Sequence, residues 1–219
     1  MVKLRILAAT DFHGSPNADS NLLRFLQRGY DYAILIGDLT NFGPVSLVES
    51  MLARLEGTGV PILAVPGNCD PKPILEVLEK HQVNLHAKCM KIGGLTLVGF
   101  GGSNLTPFNT PFEFTETEIK EELAALTLGV DDNWILITHT PPYDTRVDRT
   151  EAGIHVGSKS VRQIIEQKQP LAALCGHVHE ARNTDKIGRT LIVNPGPISR
   201  GYAAELVVEN GVCAKLLEL

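Results

Sequence analysis

Ile6-Leu7-Ala8-Ala9-Thr10-Asp11-Phe12-His13 decides how this chain is read: an apolar run of strand length leads straight into an aspartate and a histidine two residues apart. The construction returns four times. Ala33-Ile34-Leu35-Ile36 leads into Gly37-Asp38, and Ile62-Leu63-Ala64-Val65-Pro66 leads into Gly67-Asn68-Cys69-Asp70. Trp134-Ile135-Leu136-Ile137-Thr138 leads into His139, and the strand-like stretch 171–174 is followed by Gly176-His177-Val178-His179. Uninterrupted apolar runs suit strands buried on both faces, and open α/β sheets carry their sites at the C-terminal ends of such strands. Five strand ends that each deliver polar, metal-ligating side chains therefore predict an α/β protein with one composite site.

The segments between these runs have helical periodicity. A helix is predicted near 19–28, where Leu22, Leu23, Phe25 and Leu26 form one apolar face and Asp19 or Ser20 can cap it. Others are predicted near 45–55 and near 72–80, the latter with Pro71 or Pro73 in its first turn. This βαβαβ alternation implies a parallel sheet covered by helices. Further along, 88–92 and 95–100 read as a hairpin about Gly93-Gly94. A helix near 116–126 can be capped by Thr115 or Thr117, and another is predicted near 159–167. Short strands follow at 190–193, 203–208 and 212–217, so the later part is more antiparallel. The stretch 140–157 has neither period, and a structureless stretch of that length marks a functional or disordered segment. No linker, repeat or low-complexity segment divides the chain, which predicts one domain over 1–219.

Composition narrows the function classes. Of 219 residues, 43% are hydrophobic and 21% charged, the balance of an ordinary globular protein able to bury a large core without staples. A net charge of −5 disfavours a nucleic-acid partner, since tight duplex binding needs a basic footprint. The four cysteines form no CxxC pair, so reduced thiols are expected, with Cys89, Cys175 and Cys213 as buried filler. A strand entered by Leu4 in place of a signal-peptide core, and no apolar run approaching a membrane span, predict a cytoplasmic protein without a membrane partner. The sequence carries no signal for oligomeric state.

The strand-end residues Asp11, His13, Asp38, Asn68, His139, His177 and His179 comprise two carboxylates, one amide and four imidazoles. That set suits Mn, Fe, Co, Ni or Zn and not Ca. Seven ligands exceed what one such ion takes, and suit two ions sharing a carboxylate at about 3.5–4 Å, as in two-metal hydrolytic sites. Two divalent cations with two aspartates and a bridging hydroxide leave about +1, which attracts a phosphate ester. A metal-bound water ionises near pH 7, making a nucleophile for in-line attack on phosphorus.

The series Asp11-Phe12-His13, Gly37-Asp38, Gly67-Asn68-Cys69-Asp70, Thr138-His139 and Gly176-His177-Val178-His179 resembles the calcineurin-like metallophosphoesterases in order and spacing. The run from Gly153 through His155 to Ser158 is further similar to small prokaryotic phosphodiesterase-like members. The resemblance implies a four-layer sandwich of two packed mixed β-sheets with flanking helices. It also implies two metal sites: Asp11, His13, Asp38 and His179 for one ion, and Asp38, Asn68, His139 and His177 for the other. The implied activity is hydrolysis of a small or nucleotide-like phosphate ester by a metal-bridging hydroxide, with Asp38, Asn68, Cys69 and His139 in the catalytic group. One position departs from the family pattern: Cys69 stands where the usual motif has a histidine that contacts substrate. A thiol offers no cationic N–H, so the departure points toward diesters or good leaving groups.

Around this core, Asn41, Arg146, His155 and Arg200 are candidate substrate contacts, as is Arg149, while Asp70 is expected to orient its neighbours. Gly14, Gly37, Gly67 and Gly176 are expected in tight turns, and His81 and His86 on the surface or in loops. Two rival functions are a nuclease of the same superfamily, against which the acidic charge and short length argue, and a non-catalytic interaction scaffold, against which the intact ligand set argues.

Overall fold

The computed structural model describes residues 3–219. Its strands, in chain order, are β1 (Leu4–Ala9), β2 (Tyr32–Ile36), β3 (Ile62–Val65), β4 (Lys88–Ile92), β5 (Leu95–Phe100), β6 (Ser103–Asn104), β7 (Glu113–Phe114), β8 (Trp134–Thr138), β9 (Ala172–Leu174), β10 (Asn183–Ile187), β11 (Thr190–Asn194), β12 (Tyr202–Val208) and β13 (Val212–Glu218). Its α-helices are α1 (Pro16–Leu26), α2 (Ser46–Glu56), α3 (Ile74–Lys80), α4 (Glu116–Leu126) and α5 (Lys159–Lys168).

Two mixed sheets result, ordered β13-β12-β1-β2-β3 and β10-β11-β9-β8-β5-β4, with β6 and β7 pairing separately. In the first sheet β1, β2 and β3 run parallel. In the second, β5, β8, β9 and β11 run parallel, and β4 and β10 are antiparallel edges. The period of two along each strand divides its side chains between layers. Ile6 and Ala8, Ile34 and Ile36, and Ile135 and Ile137 meet in one buried cluster between the sheets. Leu7, Ala9 and Leu35 pack instead with Leu22 and Phe25 of α1, Leu52 of α2 and Leu78 of α3. Leu136 and Trp134 pack with Ile119 of α4 and Ile165 of α5. The helix–sheet–sheet–helix layering expected from the family resemblance is thus present. No helix among the described residues is long and apolar enough to cross a membrane.

Several local expectations are corrected. Helix α1 starts earlier than predicted: Ser15 is its N-cap and Pro16 opens it, while Asp19 pairs with Arg54 of α2. A proline that fixes φ at the first helical position outweighs the polar residues inside. Strand β10 has no counterpart among the predicted strands, because an edge strand with only Ile187 buried shows no apolar pattern. Cys175 is buried, but Cys89 and Cys213 are exposed, since both lie on the solvent-facing positions of the outermost strands β4 and β13. His86 lies in the loop between α3 and β4, as expected, but its half-buried ring packs against Phe100, Phe112 and Phe114, and its Nδ1 accepts the Gly101 N–H at 2.9 Å. Thr115 caps α4 in a reciprocal box with Glu118.

Candidate functional site

All seven strand-end residues gather where the C-terminal ends of the two sheets converge. Asp11 and His13 follow β1, Asp38 follows β2, and Asn68 follows β3. His139 follows β8, and His177 and His179 follow β9. The turns that make this possible are unusual. Asp11, His13, Asp38 and His177 all adopt left-handed backbone conformations, with φ of 57°, 49°, 50° and 67°. Non-glycine residues rarely do so, and such strain persists only where the surroundings over-determine it. The packing is close enough that a Cβ on Gly67 would overlap the backbone N and Oδ1 of Asp38, and one on Gly176 would overlap Thr10 Oγ1. Glycine at these two positions is a requirement of contact rather than of turn conformation.

Polar groups tie neighbouring strand ends together beneath the cluster, within each sheet and, through His139 and Ile36, between the two. The Asp11 N–H donates to Gly37 O and the Gly176 N–H to His139 O. Thr10 Oγ1 donates to Ile36 O at 2.8 Å. His139 Nδ1 lies 2.8 Å from the same carbonyl. A carbonyl only accepts, so Nδ1 carries the hydrogen, and in the neutral ring Nε2 presents a lone pair. Asp70 is fully buried and accepts from the N–H groups of Leu39, Thr40 and Gly67 and from Thr40 Oγ1, at 2.7–3.0 Å. It staples the loop after β2 to the loop after β3, the orienting role expected of it.

The potential ligand atoms then face one another across the cluster. His139 Nε2 lies 3.2 Å from Asn68 Oδ1 and 3.4 Å from Asp38 Oδ1. Asn68 cannot turn its NH₂ inward, because Nδ2 donates to Thr110 Oγ1 at 3.0 Å, and Thr110 is in turn bonded to Glu113. On the other side, His13 Nε2 lies 3.0 Å from His179 Nε2 and 3.6 Å from Asp38 Oδ2. His179 Nε2 lies 3.3 Å from Asp11 Oδ1. Asp38 therefore sits between two groups, one oxygen toward His13 and the other toward His139. Asp11 Oδ2 is buried with no hydrogen-bond partner. The His177 ring stands 5.2 Å from that of His139.

Converging lone pairs and an orphaned carboxylate oxygen are what a cation would satisfy. Donor atoms of Asp11, His13 and His179, of His13, Asp38 and Cys69, and of Asp11, Asp38 and His139 each lie within 4.8 Å of one another. Oxygen and imidazole donors of this kind fit a divalent first-row ion. Without one, burial resists the charge on His139, but the Asp38 carboxylate overrides it and holds the imidazole up at about 9. Burial and the adjoining His139 push His177 down to about 4. The bond to Asp11 raises His179, and burial lowers His13. Burial and the neighbouring Asp38 charge push the Cys69 thiol well up, so it is not a thiolate.

The remaining candidates are scattered. Asn41 is exposed in the loop beside Cys69, whose carbonyl accepts the Phe42 N–H at 3.0 Å. His155 and His177 line one cleft of about 640 Å³, together with Leu105, Phe108, Tyr143 and Val156. Arg146 and Arg149 line a neighbouring hollow with Glu151 and Glu180, outside the cluster. Arg200 is exposed on the turn Ile198–Arg200 and does not line either cavity. Sequence reading missed Asp148, which organises the 140–157 stretch. It is fully buried and accepts from the N–H groups of Asp144, Thr145 and Gly157, from Thr145 Oγ1 and from His155 Nδ1. An aspartate flanked by valine and arginine carries no pattern that reveals such a role. Thr110 and Glu113 were missed for the same reason.

Comparison with known proteins bears on the family and the fold. The sequence profile of the calcineurin-like phosphoesterases matches residues 4–181, an interval that contains all seven residues of the cluster. A Methanocaldococcus jannaschii protein, MJ1162, described as uncharacterized, is 42% identical over 205 residues, 91% of each chain. Phosphodiesterase YfcE of Escherichia coli K12 is 32% identical over 74 residues, 31% of this chain and 40% of its own. Among solved structures, TT1561 of Thermus thermophilus superposes with a TM-score of 0.73 at 21% identity, covering 97% of this chain and 98% of its own. A dimetal phosphatase from Danio rerio superposes with a TM-score of 0.67 at 11% identity, covering 98% of both. At these identities the two structures speak to fold alone.

Proposed function

The chain belongs to the calcineurin-like phosphoesterases, and from that membership we propose that it is a dinuclear-metal-dependent phosphoesterase acting preferentially on small or nucleotide-like phosphodiesters. The observation that carries the reading is Asp38 set between two donor groups, Oδ2 toward His13 at 3.6 Å and Oδ1 toward His139 at 3.4 Å. Asp11, His13, Asp38 and His179 would hold one ion, and Asp38, Asn68, His139 and His177 the other. When bound, the pair supplies a water acidic enough to ionise near pH 7 and positive charge against the phosphoryl oxygens. The native metal among Mn, Fe, Co, Ni and Zn is a matter of availability as much as of ligand type.

The chain's own residues set the geometry. Ile36 O fixes the His139 ring so that Nε2 faces inward, and Thr110 fixes the Asn68 amide so that Oδ1 does. Asp70 holds the loops that carry Asp38 and Asn68. Rigid outer partners of this kind orient ligands and raise their basicity. Cys69 donates its backbone N–H to Asp38 Oδ1 at 2.8 Å, while its side chain remains a thiol beside the cluster. It cannot offer the charged N–H that would help an alkoxide leave. That absence favours diesters and activated esters over alkyl monoesters, and agrees with the partial similarity to a protein named as a phosphodiesterase.

The test is a substrate panel on metal-stripped protein reloaded with each metal. Bis-p-nitrophenyl phosphate should be cleaved only after reloading and faster than p-nitrophenyl phosphate, with Asp38→Ala inactive. Cys69→His should raise monoester cleavage relative to diester. Monoester cleavage without diester cleavage would remove the diester preference, and hydrolysis of neither ester with any metal would remove the enzymatic reading.

A further inference from the structure

The cleft beside His177 contains more than the metal cluster requires. One wall is the segment 105–112, which presents Leu105 and Phe108 with 62% and 81% of their surface exposed. The other is the 143–157 segment, which contributes Tyr143, His155 and Val156. The walls are held at a fixed separation: Asn104 Nδ2 donates to Val156 O at 3.2 Å, and Asn104 Oδ1 accepts from Thr140 Oγ1 at 2.6 Å. The first wall is also tied to the cluster, since the Phe112 N–H donates to Asn68 O at 3.1 Å and Asn68 Nδ2 to Thr110.

Phe108 is not exposed because its loop is loose. Glu113 accepts from the N–H and hydroxyl groups of both Thr106 and Thr110, which closes the turn that carries the ring. An aromatic ring held in solvent by a fixed turn, at the rim of a cleft that ends on His177, offers a face to a bound group. Polar groups are few. His155 Nδ1 donates to the buried Asp148 at 2.7 Å, which leaves Nε2 on the opposite side of the ring, 3.7 Å from the exposed Asp144. The charges around the cleft are Glu116 and Glu180 against Lys159, whose Nζ lies 5.3 Å from the Tyr143 ring centre. A second phosphate would meet two carboxylates and one lysine there.

We propose that this cleft is a subsite for an uncharged, planar aromatic arm of the phosphate ester, an aryl or nucleoside group. Phe108 and Tyr143 supply ring faces, and His155, oriented by Asp148, supplies the hydrogen-bonding group. The proposal rests on the phosphoesterase reading above for the position of the phosphorus, but not for the binding of the arm.

The test uses two esters with one non-aromatic leaving group, 2,2,2-trifluoroethyl phenylphosphonate and 2,2,2-trifluoroethyl methylphosphonate, on the metal-loaded protein. Stacking on an aromatic side chain predicts a phenyl-over-methyl preference in kcat/KM that falls by about tenfold in Phe108→Ala. Comparing variant with wild type cancels the intrinsic reactivity of the two esters. Calorimetric titration with phenylphosphonate and methylphosphonate gives a readout independent of turnover. Phenylphosphonate should bind about tenfold more tightly to the wild type, and Phe108→Ala and Tyr143→Ala should each narrow the gap. Loss of turnover with the binding preference intact would count against the phosphoesterase reading alone. Equal binding of both phosphonates, or a preference that survives both substitutions, would overturn the subsite.

Discussion

His86 should make the protein's stability depend on pH in a way that one substitution removes. Burial among Phe100, Phe112 and Phe114 pushes the imidazole down to about 4. In the unfolded chain an unperturbed histidine titrates near 6.5. Between these values the unfolded state binds a proton that the folded state refuses, so stability falls as pH falls from 6.5 toward 4 and flattens below it. At 1.36 kcal/mol per pKa unit the full contribution is about 3 kcal/mol, and about 2 kcal/mol of it is lost by pH 5. His86→Phe keeps the aromatic packing but leaves the Gly101 N–H without its acceptor, a cost of about 1–3 kcal/mol at pH 8. The variant should therefore be less stable than wild type at pH 8, and the gap should close by about 2 kcal/mol at pH 5. Urea unfolding at the two pH values, read as the difference between the two proteins, cancels titrations elsewhere. A gap that stays constant within about 0.5 kcal/mol would refute the claim that the fold holds His86 neutral.

Two further outcomes follow from the site's construction. Gly67→Ala places a Cβ against the backbone N and Oδ1 of Asp38 and should weaken Mn binding by at least roughly 10–100-fold in a calorimetric titration, the range seen when groups supporting a ligand are disturbed; unchanged affinity would contradict the proposed role of Asp38. Asp148→Ala removes the common acceptor of the 143–157 segment and should cost on the order of 2–4 kcal/mol in urea unfolding while opening Arg146 and Arg149 to trypsin; a variant as protease-resistant as wild type would show that the segment is held by other contacts.

The parts of this protein that sequence reading reached are those where one local rule governs. Ile6–Ala9, Ile34–Ile36 and Ile135–Ile137 are apolar at every position because both faces of each strand are covered, so strand and flanking polar motif are visible together. The hairpin about Gly93-Gly94 and the cap at Thr115, one of the two threonines expected there, are equally local. What stayed hidden depends on contacts distant in the chain. Asp148 reads as one more charged loop residue until Gly157 and His155 fold back upon it. The aromatic packing of the loop residue His86 was hidden because the phenylalanines around it come from positions 100, 112 and 114. Cys89 and Cys213 look like filler because apolar neighbours in sequence do not reveal which strands are edges. In the site itself the residues that converge were legible, whereas the fixed orientation of Asn68 by Thr110 and Glu113 was not.

Metal stoichiometry tests the central claim most directly. Protein stripped of metal, reloaded with Mn and dialysed, then assayed by elemental analysis, should hold two ions per chain. Asp38→Ala should lose both together, because the same side chain faces both donor groups. A wild type that saturates at one ion, or an Asp38→Ala variant that still holds two, would contradict the shared-carboxylate centre on which the account rests.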